Sequence, residues 1–493
     1  MSQQNENQSQ ADTQTKKLGI GTDEWVAQHD KRLARRVGAL GVLDFLNEKV
    51  SNRTRYVALL LAAIAFGFFV DNQYLLRIAS NLGVFLMMTI GINIVLGFAG
   101  LLDLGFVAFY GFGAYAYALT SSSQLNQHWP TYLSVPAIVI TTAFLGYLVS
   151  LPSRRLFGDY LAIVTLFFGQ IFIQLVLSSD SITFPGHTDS TDITGGSNGI
   201  PGLDPFKFFG QPFKSTTDYY WLLLIVLTLL LIAVTRIDRT RVGRAWRTVR
   251  EDPLASQSMG IKVNNLKTLA FIVGAAIAGF AGAIFAGIQS AVFINGFDVP
   301  LLTLVYAAVI LGGSGSIPGS IIGAFVMSVL PEILRVQNYS EMLFITVLVL
   351  TIGVIGKTWK RFALNIVSVV VIGYIVKLVL NASQLATTPS KIWAIAPVSK
   401  ALRFWLVLPS NRIVWGNIAF VALVALVAYY SIAREKIKPL LLPLIAYISI
   451  FLWEDRLVAD ANTTRQLIIG AMLVVLMIVR PQGFLGKARV EVL

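Results

Sequence analysis

Cysteine is absent from the 493 residues, which excludes disulfides and thiolate metal sites. Histidine occurs three times, as His29, His128 and His187, far apart and without ligand-like spacing. Charge is scarce as well. Only 13% of residues are charged, against about 25% in a typical soluble domain, while 55% are hydrophobic and the mean hydropathy is +0.69. A soluble globule of this size has nowhere to hide so much apolar surface, so lipid is the solvent for most of the chain. A disordered protein and a disulfide scaffold are excluded, and a soluble enzyme is disfavoured.

Nucleotide-binding patterns are missing too. A Walker A loop at Gly356-Lys357-Thr358 requires glycine where Thr351 stands, and a dinucleotide fingerprint around Gly313-Ser314-Gly315 requires glycine where Pro318 stands. The chain is therefore expected to bind no cofactor of its own, and any ATP-Mg chemistry falls to separate subunits. The net charge of +13 and pI of about 9.8 come mainly from basic residues flanking apolar runs. Membrane topology explains them without nucleic acid.

What is present divides the chain. Residues 1–22 form a polar tail too poor in apolar groups to order. Residues 23–56 carry Trp25, Leu33, Val37, Leu40, Leu43 and Leu46 at helical spacing with Lys31, Arg32, Arg35 and Arg36 between them. That is a basic amphipathic segment, lying on an anionic membrane face or packed on the protein's own cytoplasmic side. Apolar runs follow from residue 57 onward, about fourteen at most, several shorter than the roughly 20 residues of a perpendicular span. The fold class is all-α: a polytopic helical membrane protein with broken or re-entrant helices. Lysine and arginine place the segment 236–267, with eight basic residues and three acids, in the cytoplasm, and both termini with it. The loop 179–218, with five aspartates and two lysines, faces outward.

Candidate functional residues are of two kinds. Within or beside apolar runs stand Asn93, Asp103 and Gln170, and the stretch 312–320, GGSGSIPGS, where Gly313, Gly315 and Pro318 interrupt two runs. Polar groups and helix breaks at membrane depth mark a possible translocation path, or, for Asp103, a first-turn acid favoured by the helix dipole. The small residues Gly315, Gly319 and Gly323, and Ala278, Gly282 and Ala286, recur every four positions and suit close helix packing. The other kind is the loop Gly243–Phe271. Arg241 to Arg250 has helical composition; Asp252 caps a second short helix with Pro253 at its first position, and Gly260 suits a left-handed stop. Such an exposed helix, ringed by Arg244, Arg247, Arg250 and Glu251, is shaped for docking, or is a solvated basic loop obeying the topology rule.

Five blocks carry a resemblance: GINIVLGFAGLLDLGFVAFYGFGAYAYAL (91–119), GDYLAIVTLFFGQI (158–171), GRAWRTVREDPLASQSMGIKV (243–263), AAVILGGSGSIPGSIIGA (307–324) and RPQGFLG (480–486). Together they resemble the LivM-type permease subunits of branched-chain amino acid ABC importers, over about 57–335 and 464–486. The resemblance implies a bacterial inner-membrane subunit moving branched-chain or other neutral amino acids. Its implied partners are a homologous second permease, two cytoplasmic ATP-binding subunits and an extracytoplasmic solute-binding protein. It assigns the 243–260 loop to coupling, where Ala255 and Gly260 match the general importer form and Leu254 and Ser256 depart from it. Residues 336–463 have no counterpart in the usual pattern and are read as inserted transmembrane helices before the last span and tail, 464–493. A self-contained secondary transporter, or a permease for urea or short amides, are the alternatives.

Overall fold

The computed structural model describes residues 52–122, 126–154, 159–183, 190–208, 211–213, 215–335, 344–349, 351–353, 359–382, 387–389, 405–409, 411–433, 437–459, 470 and 483–485. The polar tail, nearly all of the basic amphipathic segment and, residue 470 apart, the last span expected at 465–479 lie outside them. Among the described residues nine helical segments are long and apolar enough to cross a membrane.

Helix α1, Asn52–Phe69, belongs to a unit of its own that ends at Asp71. The rest begins with α2, Gln73–Ile92, whose N-cap Asn72 accepts a hydrogen bond from the Tyr74 amide at 2.9 Å. It runs on as a π-helix, Asn93–Phe98, and after a short loop α3 spans Phe106–Thr120. Next come α4 (Thr131–Ser153), α5 (Asp159–Ser178) and α6 (Thr216–Arg239). Ser215 and Asp218 close the start of α6 with a reciprocal capping box. Two helices of the basic loop follow, α7 (Arg241–Glu251) and α8 (Pro253–Ser258). Then come α9 (Val263–Gln289), α10 (Val299–Gly312) and α11 (Ile317–Arg335). The later helices are α12 (Trp359–Ala382), α13 (Arg412–Ile432) and α14 (Lys438–Ala459). Strands occur among the described residues only as antiparallel pairs two or three residues long.

Helices α2 and α9 form the centre. Their most apolar windows are 78% and 67% buried, against 6% for α13, whose apolar surface faces outward as lipid contact requires. Glycine is what lets α9 approach its neighbours. A β-carbon at Gly282 would lie 2.8 Å from the Ala114 amide of α3, and one at Gly146 of α4 would lie 2.7 Å from the Phe271 carbonyl of α9. The four-residue spacing at Gly282 thus serves tight packing, as does Gly319, which meets the Gly312 backbone. Buried hydroxyls are satisfied inside their own helices: Ser80, Thr89 and Thr142 donate to the carbonyls of Leu76, Phe85 and Ile138 at 2.8–2.9 Å.

The helices after residue 336 have a separate apolar cluster of Ile352, Val369, Trp405, Leu406, Ala446 and Tyr447. Trp405 donates its indole N–H to the Val370 carbonyl at 2.8 Å, and the indole lies against Gly373.

Candidate functional site

The basic loop folds as its sequence predicts. Asp252 has extended backbone and its Oδ1 accepts from the Leu254 and Ala255 amides at 2.8 and 3.0 Å, so it caps α8, with Pro253 as the first helical residue. Gly260 ends the element at φ +84°. Helix α7 buries Gly243, Trp246 and Val249 on one face, and Trp246 donates its indole N–H to the Leu266 carbonyl at the start of α9, 2.9 Å away. The opposite faces stay open. Leu254 is 72% and Met259 83% exposed, beside exposed Arg244, Glu251, Asp252 and Ala255.

The three arginines that read as one ring are separated. Arg244 is exposed; Arg247 pairs with the Asp238 carboxylate of α6. Arg250 turns into the protein. Its Nη1 donates to the Gly97 carbonyl, in the π-helix, and to the Ser314 carbonyl at 3.4 Å, while Nη2 donates to Ser314 Oγ at 3.0 Å. Gly97 and Ser314 each stand at a helix interruption, one where α2 loosens into π-helix, the other in the turn between α10 and α11.

This junction gathers residues that the sequence offers separately. Gly313 and Gly315 adopt φ +106° and +81°, the left-handed backbone that glycine alone enters freely. Buried Asn93 accepts from the Gly315 amide at 2.8 Å. Pro318 is the second residue of α11, where its missing N–H costs nothing. The distant terminal block arrives here too: the Phe484 and Leu485 amides donate to the Leu311 and Gly312 carbonyls at 2.8 and 3.0 Å, capping the end of α10.

Other candidates sit elsewhere. Asp103 is buried in the loop before α3; Oδ1 accepts from the Gly105 amide at 3.0 Å, and Oδ2 has no hydrogen-bond partner among the described residues. Its backbone carbonyl accepts from the Tyr306 hydroxyl at 2.6 Å. Gln170 is exposed on α5 and lines a cleft with Gly105, Val107, Phe297 and Asp298. The structure does not bring Asp103 or Gln170 to the Arg250 junction. His128, unremarkable in sequence, pairs with Asp204 at 2.8 Å.

Sequence reasoning missed Gly97, Gly100, Ser314 and the role of Gly483–Leu485, as well as the exposed pair Leu254 and Met259. Only the last had a signal, two large apolar side chains in the otherwise small and polar stretch 254–260. The first four matter through contacts between segments 64 to about 170 residues apart, which no local pattern encodes.

Comparison with known proteins agrees with this architecture. Residues 74–352 match the family described as branched-chain amino acid transport system, permease component. The high-affinity branched-chain amino acid transport system permease protein LivM of Escherichia coli K12 is 35% identical over 319 residues, 60% of this chain and 72% of that protein. The high-affinity branched-chain amino acid transport system permease protein BraD of Pseudomonas aeruginosa is 29% identical over 52% of this chain and 85% of its own length. LivH of Salmonella typhimurium is 25% identical over 55% and 91%. No solved structure matches. With its membrane-length helices and a family match over more than half its length, this multi-pass membrane protein belongs to the permease components of branched-chain amino acid transport systems.

Proposed function

We propose that the chain is one of two permease subunits of an ATP-driven importer of branched-chain amino acids in the cytoplasmic membrane, with its basic loops and termini inside. The relatives named as LivM and LivH permease proteins support pairing with a homologous permease. Two ATP-binding subunits and an extracytoplasmic solute-binding protein complete the assembly in this reading. ATP-Mg is bound by those partners and not by this chain.

The observation that carries the reading is the α7–α8 loop. A capped short helix holds Leu254 and Met259 in solvent, while Trp246 fastens the same loop to the membrane core. Two large apolar side chains held in solvent at the tip of the loop offer a surface that gains free energy when a partner covers it. A cleft on an ATPase subunit is such a partner, and the mechanism follows: nucleotide-driven motion of the ATPases displaces this loop, and the membrane helices alternate access. The displacement requires that the nucleotide states differ in their contacts with the loop.

The test is co-purification with the ATPase subunits from membranes. Leu254→Asp with Met259→Asp is expected to abolish their capture and ATP-dependent uptake, while the chain still inserts. Capture and uptake at the original level would refute the docking assignment.

A further inference from the structure

Two of the loop's contacts with the membrane core differ in kind. Trp246 ties α7 to the first turn of a continuous helix, α9. Arg250 ties it to two interruptions at once, the π-helix at Gly97 and the glycine turn at Ser314. A continuous helix transmits a push along its axis, whereas an interruption is where a helix can bend or shift, because backbone hydrogen bonds there are already out of register.

The pocket around Arg250 is built for it. A β-carbon at Gly100, φ +72°, would lie 2.8 Å from Arg250 Cγ, and one at Gly315, φ +81°, would lie 2.5 Å from Nη1. Two left-handed glycines thus leave room along the side chain. Asn93 then ties the two interruptions to each other through the Gly315 amide. The planar, permanently charged guanidinium reaches both with fixed geometry, which a lysine ammonium cannot do.

We infer that Arg250 is the positioning residue that makes the docking loop, the π-helix and the glycine turn one rigid unit, so that partner movement at α8 reaches the broken membrane helices through it. This rests on the importer reading above. Binding to the ATPases belongs to Leu254 and Met259; Arg250 carries the movement onward.

Two experiments test it in the complete complex. In proteoliposomes, Arg250→Ala is expected to lower solute uptake per ATP hydrolysed by about tenfold, the scale of one charge-assisted hydrogen bond. Ser314→Ala, which removes one hydroxyl and leaves the carbonyl contact, is expected to lower it about threefold. Arg250→Lys is expected to remain impaired. A merely structural role lowers uptake and hydrolysis in parallel, and a ratio equal to that of the unsubstituted complex in both Arg250→Ala and Ser314→Ala overturns the proposal. Because the chain has no cysteine, spin labels at Ser258→Cys on α8 and Leu102→Cys, just beyond the π-helix, report directly on rigidity. With Arg250 present the distance between them is expected to stay constant across nucleotide states. With Arg250→Ala or Ser314→Ala it is expected to broaden and vary. The same behaviour with and without these substitutions overturns the proposal. Absence of any ATP-driven uptake by the unsubstituted complex overturns instead the importer reading, and the label distances still decide whether Arg250 joins these segments.

Discussion

Replacing Gly315 by alanine separates two costs that are usually entangled. The residue sits at φ +81°, and Gly260 at φ +84°, so an alanine at either position bears the same left-handed strain, about 1–2 kcal/mol. Their surroundings differ. Around Gly260 a β-carbon meets nothing within 4 Å, whereas at Gly315 it would lie 2.5 Å from Arg250 Nη1 and 2.9 Å from the Gly97 carbonyl oxygen. The guanidinium is the end of a flexible side chain and can withdraw, but withdrawal leaves two helix interruptions without their charged donor, a loss of about 1–3 kcal/mol. If it stays, the backbone must move, which costs a similar amount as overpacking, about 1–3 kcal/mol. Gly315→Ala should therefore destabilise the chain by about 2–5 kcal/mol and Gly260→Ala by only about 1–2 kcal/mol. Titrating the purified chain from mild detergent micelles into SDS, with intrinsic tryptophan fluorescence as the readout, gives the two midpoints. Equal midpoints would show that the pocket around Arg250 is not close-packed, and the argument from its glycines would fail.

Two further comparisons use the same logic. Gly282→Ala is expected to destabilise markedly, because the added carbon enters the backbone of α3, while Gly296→Ala, with nothing within 4 Å, should be neutral in the same titration. Asp252→Ala removes the acceptor for two amides of α8 and should cost that helix about 1 kcal/mol. Hydrogen exchange at residues 254–258 should then rise about fivefold, and Asp252→Asn, which retains an oxygen acceptor, should restore protection.

Much of the fold was open to sequence reasoning because membrane helices announce themselves through length and hydropathy, which are properties of single segments. The breaks in GGSGSIPGS and the cap at Asp252 were legible for a related reason: left-handed turns need glycine and helix starts need an acceptor, and both requirements are local. Four of the five blocks that carry the family resemblance lie within the match over 74–352. The fates of the polar residues were not legible. Asn93 reads equally as a pore-lining amide or a strut, and its contact with the Gly315 amide, 222 positions away, could not be read from either segment. Arg250 has the same side chain as Arg244, six residues before it, yet of the two Arg250 is the one drawn inward, because the acceptors it reaches, the Gly97 carbonyl and Ser314, belong to segments far away in sequence.

Sequence alone determined that this chain lives in lipid, that the stretch 312–320 interrupts two apolar runs and that the basic loop carries a capped helix, since each of these follows from the chemistry of neighbouring residues. Tertiary structure alone decided that Arg250, Gly97, Ser314 and the Gly483–Leu485 segment meet, because that meeting depends on how the helices stack, and the pairing of hydrogen-bond donors and acceptors across a packed bundle leaves no trace in the spacing of residues along the chain.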